Sequence, residues 1–248
     1  MLVTTDPIPF IVPDWPAPAR VRALITTRVG GVSRGGFASL NLGDHEGDDH
    51  VAEAENRARV AAHLPGSPLW LKQVHGTKVV NPFTDLSGCE ADASVAREPG
   101  QVLAIMTADC LPLLLTDDGG TAIAIAHAGW RGLAAGVIEQ TVAALAIEPS
   151  RLIAYLGPAI GPSAFEVGDE VREAFVAVDA GAAAAFAPGA AGRWFADLYM
   201  LARQRLARLG TAQVHGGEFC THGEPERFFS HRRDRITGRM ASLIWLES

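Results

Sequence analysis

Three side chains able to bind a metal or act as a nucleophile lie where apolar runs break off. His75 follows "LWLKQV", Cys110 follows "VLAIMTAD" and His127 follows "TAIAIA". In "VLAIMTADCLPLLL", residues 102–115, an apolar run gives way to Asp109, Cys110 and Pro112, a strand breaker expected to stop regular ladder bonding, before Leu113 resumes it. Each of the three residues lies at or near the end of a predicted strand, where neighbouring strands can gather them on a rigid edge. Two imidazoles and a thiolate are good ligands for a first-row metal, and three protein ligands leave a fourth position open for chemistry, as in catalytic zinc sites. The same residues admit a metal-free reading, with Cys110 as nucleophile and His75 or His127 as its base. A purely structural reading makes the histidines satisfied core residues and Cys110 a small buried hydrophobe.

The flank of His127 adds to the functional case. "HAGWRG" sets glycines on either side of a Trp–Arg pair at a predicted strand-to-helix turn, so the backbone can approach a ligand closely. Arg131 offers a forked cationic donor to phosphate or carboxylate. Its bland alternative is a tight turn with Trp130 in the core and Arg131 on the surface. The segment "GVSRG", residues 31–35, fits a nucleophile elbow, but a second glycine-rich stretch follows it where a helix is required. Phosphate-loop, dinucleotide-binding and HExxH motifs are absent from the sequence.

The elements that must position these residues alternate irregularly. Segments 21–29, 69–80, 101–110, 121–130 and 151–161 have strand character, as does "RMASLIWL" near the end. Helical spacing marks 51–63, "GLAAGVIEQTVAALAI" with Pro149 beyond it, "DEVREAFVAV" and "ADLYMLARQRLARLG". Residues 180–192, "AGAAAAFAPGAAG", are low in complexity and predict a surface excursion. Without a regular β-α-β beat or a linker, the expectation is a single α+β unit over residues 1–248, with mixed sheets and outer helices.

Composition narrows the function classes. Of 248 residues, 48% are hydrophobic and 20% charged, ordinary for a globular protein. The formal charge of −7 disfavours non-specific nucleic-acid binding. No apolar run spans a bilayer, and the opening "MLVTTDPIPFIVPDWP" lacks the basic start of an export signal, so a cytoplasmic protein with no membrane partner is expected. Cys89, Cys110 and Cys220 show no CxxC spacing, which argues against a disulfide framework. "HRRDRITGR", residues 231–239, is a basic cluster in an acidic chain.

The motifs "GGVS", "SLNLG", "ENRARV", "QVHG", "TADCLPLLL", "HAGWRG", "YLGPAIGPSAFEVG" and "FFSHRRDRITGRMA" occur in that order from about Arg28 to Met240. Together they resemble the YfiH-like family, also called the polyphenol-oxidoreductase laccase or peptidoglycan editing factor family. The resemblance implies a layered α/β/β/α fold, also seen in a bacterial toxin deamidase with a Cys-His site. It implies phosphorolysis of adenosine, inosine and methylthioadenosine, with adenosine deamination besides. It also implies a metal held by the positions that are His75, Cys110 and His127 here, which would be the catalytic centre. Zinc is expected in preference to copper, because a lone His2Cys set cannot hold the several coppers of a laccase. Purine nucleosides and phosphate are the implied partners. For the implied deamination, a metal held there would supply activated water for addition at C6 of adenine. Arg131 and the Arg232–Arg233 pair are candidates for a phosphate cradle, Asp109 for a proton carrier or brace, and Asn41 and Gln73 for contacts to ribose or base. "GPSAFEVG" departs from the family, with Ala164 and Phe165 where relatives often carry Cys and Tyr. The alternatives are a metal-free Cys-His hydrolase or deamidase, and a non-catalytic peptidoglycan-editing partner.

Overall fold

A computed structural model of the chain describes residues 8–82 and 87–248. The reading of the extreme N-terminus as lacking an export signal lies partly outside the described residues. In chain order the strands are β1 (Val21–Ile25), β2 (Pro68–Leu69), β3 (Val79–Val80), β4 (Ala93–Ala96), β5 (Val102–Thr107), β6 (Leu111–Asp117), β7 (Ile123–Ala128), β8 (Leu152–Leu156), β9 (Glu166–Gly168), β10 (Phe186–Pro188), β11 (Arg193–Ala196), β12 (Gln213–Gly216) and β13 (Met240–Leu246). The helices are α1 (His50–Ala61), α2 (Trp130–Ala135), α3 (Val137–Leu145), α4 (Asp169–Val176), α5 (Leu198–Leu209) and α6 (His231–Asp234). Among the described residues none is long and apolar enough to cross a membrane.

Two mixed sheets face each other. One runs β1-β13-β5-β2, the other β12-β8-β6-β7-β4-β3, and a small antiparallel sheet β10-β11-β9 lies apart. The period-two alternation of strand side chains decides which face meets which layer. On β7, Ile123 and Ile125 join Leu103, Ile105 and Ile244 between the two sheets, while Ala124, Ala126 and Ala128 pack with Leu133, Val142 and Leu206 of the outer helices. On the far side, Ala104, Leu243 and Trp245 pack with Val60 of α1. The layer order is therefore helix, sheet, sheet, helices, as the family resemblance implies. β6 is buried along its whole length, so "LPLLL" has no polar face: apolar layers cover it on both sides.

Local chemistry sets the helix ends. Asp49 accepts the Val51 N–H at the start of α1, and Asp197 accepts the Met200 N–H at the start of α5. α5 stops at Gly210, whose φ of 97° is the left-handed helix terminator.

The structure corrects four sequence-based expectations. "GLAAGVIEQTVAALAI" forms two helices, because Gly136 adopts φ 99° and breaks the chain between α2 and α3. "LWLKQVHGTKVV" yields only the two-residue strands β2 and β3, with His75 in the loop between them. Residues 180–192 are no mere surface excursion: Ala182, Ala185 and Phe186 are buried in the helical layer, where small side chains let the segment approach α4 and α5, and Phe186–Pro188 pairs with β11. Pro112 does not end a strand; it is the second residue of β6, opposite His127 of β7, where its carbonyl accepts the Gly157 N–H. "TADC" is thus the passage from β5 in one sheet to β6 in the other.

Leu114 projects from β6 into the layer between the sheets. Leu114→Ala is expected to lower unfolding free energy by about 2–5 kcal/mol in urea denaturation, whereas a loss under about 1 kcal/mol would contradict this packing.

Candidate metal centre

His75, Cys110 and His127 meet where these elements converge. Their ligand atoms all lie within 4.8 Å of one another, and they form the one group of three or more potential ligands found among the described residues. Cys110 Sγ is 3.8 Å from His75 Nε2, and the two imidazole rings stand edge to face with centroids 4.7 Å apart. His127 belongs to β7 itself and is buried, 3% exposed. Cys110 immediately precedes β6 and is partly accessible, and His75 is exposed at the mouth.

A carboxylate that sequence reasoning missed organises the group. Asp92, fully buried, accepts the His127 ring at Nδ1 (2.8 Å) and the backbone N–H groups of His75 (2.9 Å), Gly76 (2.6 Å) and Val74 (3.2 Å). Its own carbonyl accepts the His127 N–H at 2.7 Å. One side chain thus orients an imidazole so that Nε2 is turned to the sulfur of Cys110, and folds the loop that presents a second imidazole. The signal was in the sequence: Asp92 interrupts the small apolar run "ADASV", as Asp109 and Cys110 interrupt theirs.

Glycines make the approach possible. A Cβ at Gly129 would lie 2.9 Å from both Cys110 Sγ and His75 Cδ2, and one at Gly132 would lie 2.9 Å from the Gly76 carbonyl oxygen. This is the physical content of the glycines in "HAGWRG".

Electrostatics favour a thiolate. Burial opposes ionisation of Cys110, but the charge and hydrogen bonds of His127 and His75 outweigh it and bring the thiol down to about 6. Burial likewise disfavours the His127 imidazolium, yet the Cys110 charge and the Asp92 and Cys110 hydrogen bonds raise it to about 9. Burial also works against ionised Asp92, but the His127 ring and the loop N–H groups hold its carboxyl below the usual carboxylate range. A cation is therefore welcome beside this sulfur, whether imidazolium or metal.

Two clefts open on the group. One, of about 390 Å³, has the polar residues Asp44, Glu46, Gln73 and Arg239 in its wall. The other, of about 170 Å³, is lined by Trp130, Ile160, Phe165 and Leu198 with Arg232. His75, Ala108, Cys110, Arg131 and His231 line both. Arg131 stacks on Trp130 with its guanidinium carbon 4.3 Å from the ring centroid, and Arg232 covers Phe165 at 5.3 Å.

The remaining sequence candidates divide. Asp109 lines the smaller cleft, but its carboxylate accepts Thr221 Oγ1–H (2.7 Å) and the Arg232 N–H (2.6 Å), so the geometry supports the brace and not the proton carrier. Gln73 borders the larger cleft while its amide pairs with the Met106 N–H and C=O like a neighbouring strand. Neither Asn41 nor Arg233 is among the residues lining these clefts. The amide of Asn41 is engaged by Gly43, Asp48 and Arg239. Arg233 donates to the carbonyls of Thr221, His222 and Phe228 and to Asp234. Both serve as loop braces in this fold. Arg239, His231, Trp130 and Phe165 border the clefts without having been singled out as ligand contacts, because nothing local in the sequence marks a residue that reaches the site only through tertiary folding.

A sequence family described as "Multi-copper polyphenol oxidoreductase laccase" matches residues 22–247. The chain belongs to this family. Among relatives of this laccase-type chain, the Escherichia coli (strain K12) protein named "Purine nucleoside phosphorylase YfiH" is 56% identical over 240 residues, 96% of this chain and 98% of that one. "Purine nucleoside phosphorylase PA4543" of Pseudomonas aeruginosa is 56% identical over 241 residues, again 96% and 98% of the two chains. The Neisseria meningitidis protein NMB0706 has a similar crystal structure, with TM-score 0.93, 52% identity and 96% and 99% coverage. YlmD of Geobacillus stearothermophilus matches with TM-score 0.85, 31% identity and 97% and 100% coverage.

Two predictions follow from the geometry of this laccase-family centre. Asp92→Asn is expected to weaken metal binding about 10–100-fold in a chelator competition, and unchanged affinity would remove Asp92 from the ligand assembly. In metal-stripped protein, alkylation of Cys110 by iodoacetamide is expected to accelerate as pH rises through about 6, the thiolate forming there. A midpoint at the ordinary free-cysteine value would contradict the ion pair.

Proposed function

We propose that the chain is a zinc-dependent purine nucleoside phosphorylase that converts adenosine, inosine or methylthioadenosine and phosphate to free base and (methylthio)ribose 1-phosphate. The observation that carries this reading is a cluster of two imidazoles and a thiol, within 4.8 Å of one another, of which His75 and Cys110 line both a polar and an aromatic cleft and His127 lines the polar one. The names of the relatives from Escherichia coli and Pseudomonas aeruginosa agree with it.

The donor set suits zinc. His75, Cys110 and His127 would supply two nitrogens and a sulfur, the Asp92 bond at Nδ1 leaves His127 to offer Nε2, and a lowered Cys110 thiol favours the ionised form that zinc requires. Zinc bound there would supply a Lewis acid beside the reacting atoms. The laccase name implies copper, and His2Cys accepts copper too. Oxygen reduction by several coppers needs more ligands than this single described cluster contains.

In this reading Arg131 and Arg232 hold the phosphate, since forked guanidinium donors match its oxygens. Trp130 and Phe165 give the smaller cleft flat apolar surface for the base. A phosphate oxygen bonds the anomeric carbon of the ribose as the bond to the purine nitrogen breaks, and the base leaves with the electron pair. Adenosine deamination, at the same centre, would replace the C6 amino group by water oxygen.

One observation favours a second reading. Asp92, His127 and Cys110 form a carboxylate–imidazole–thiol chain that would equally serve a metal-free Cys-His hydrolase. The additional imidazole of His75 beside the same sulfur speaks for a metal, because a nucleophile needs one base.

The test is metal analysis with a product assay on purified protein. About one zinc per chain, base and sugar phosphate released only when phosphate is present, and loss of both zinc and turnover in His75→Ala, Cys110→Ala and His127→Ala are expected. Inosine appearing from adenosine without phosphate would report deamination. Metal-free protein that still turns over, or is silenced by alkylation of Cys110, would support the hydrolase instead. Zinc-loaded protein inert to all three nucleosides would overturn the enzymatic reading.

A further inference from the structure

Cleavage of a purine from ribose is limited by the leaving group: the departing base carries a negative charge unless it receives a proton. The inference drawn here rests on the phosphorylase reading and concerns the source of that proton. Five residues line both clefts, and so border the place where nucleoside and phosphate would meet. His75 and Cys110 are assigned to the metal, and Ala108 has no exchangeable side-chain proton. Arg131 is assigned to the phosphate, which its forked guanidinium matches. His231 is left.

The surrounding groups are committed elsewhere. Asp109 holds Thr221 and Arg232. Asp44, His45 and Glu46 line the larger cleft alone, with Asp44 paired to Arg57 and His45, and Glu46 to Arg239.

The backbone around His231 is fixed while its ring is free. Ser230 Oγ accepts the Arg233 N–H, Asp109 Oδ2 accepts the Arg232 N–H at 2.6 Å, and the Arg232 guanidinium donates to the Glu166 carbonyl at 2.7 Å. Arg233 ties the same segment to three carbonyls. The His231 imidazole itself is exposed and has no hydrogen-bond or ion-pair partner among the described residues. An imidazole carried on an anchored backbone, without a partner among the described residues and bordering two clefts, is available to a ligand.

We propose that His231 is the general acid of phosphorolysis, donating its ring proton to the purine as the glycosidic bond breaks. The phosphate oxygen forms the new bond to the anomeric carbon, the bonding pair of the old bond passes to the purine, and the imidazolium proton goes to a purine ring nitrogen. The proton carried in by hydrogenphosphate then returns to His231, so the cycle closes without oxidant or reductant.

A substrate whose base needs no proton isolates this role. The base of 7-methylinosine is already cationic and leaves neutral. With inorganic phosphate, His231→Gln is expected to lower kcat on inosine by about 10²–10⁴-fold, leaving 7-methylinosine turnover and bound zinc essentially unchanged. An equal loss on both substrates would make His231 a binding or shaping residue, and no loss on inosine would give it no part; either overturns the proposal while phosphorolysis itself stands. Wild-type protein that cleaves neither substrate overturns the phosphorylase reading and this inference with it.

Discussion

Asp92 joins two sheet-borne segments through one carboxylate. Its oxygens take the imidazole of His127 and three consecutive N–H groups of the loop that carries His75. A buried carboxylate with fewer partners would be costly to ionise; with four donors it becomes a fixed anion around which the loop has one low-energy path. The remaining assembly depends on that path. Were the loop to relax, His75 would leave the sulfur of Cys110, and the polar cleft would lose part of its wall.

A second carboxylate performs the same work on the other side. Asp109 has φ 93° and His75 φ 60°, conformations unfavourable for residues with a Cβ, and both are held by hydrogen bonds to distant parts of the chain. Asp109 ties the turn before Cys110 to Thr221 and to the segment bearing His231 and Arg232. The centre therefore lies between two anchored turns, with small residues at Gly129 and Gly132 allowing close backbone approach. Its rigidity comes from tertiary hydrogen bonds more than from regular structure, since the strands bearing His75's loop are only two residues long.

This division explains what could be read in advance. Polar residues that break apolar runs marked His75, Cys110 and His127, because an apolar run accepts such residues only where something compensates them. The same logic applied to "ADASV" would have marked Asp92. Long apolar segments such as β6, β7 and β13 were legible for the same reason. The clefts were not, because their walls come from segments far apart in the chain, as Asp44, Arg131 and Arg239 illustrate. Nor was local sequence decisive: "QVHG" occurs twice, as the loop around His75 and as the edge strand β12 beside β8. Only the first meets a buried carboxylate.

In the proposed function one ion is held jointly by the sulfur of Cys110 and the nitrogens of His75 and His127. X-ray absorption at the zinc edge of the metal-loaded protein reads this ligand set directly. One sulfur scatterer at about 2.3 Å is expected with nitrogen or oxygen scatterers at about 2.0 Å, the sulfur vanishing in Cys110→Ser. A spectrum with only nitrogen and oxygen neighbours in the wild-type protein, or one unchanged by loss of the thiol, would contradict it.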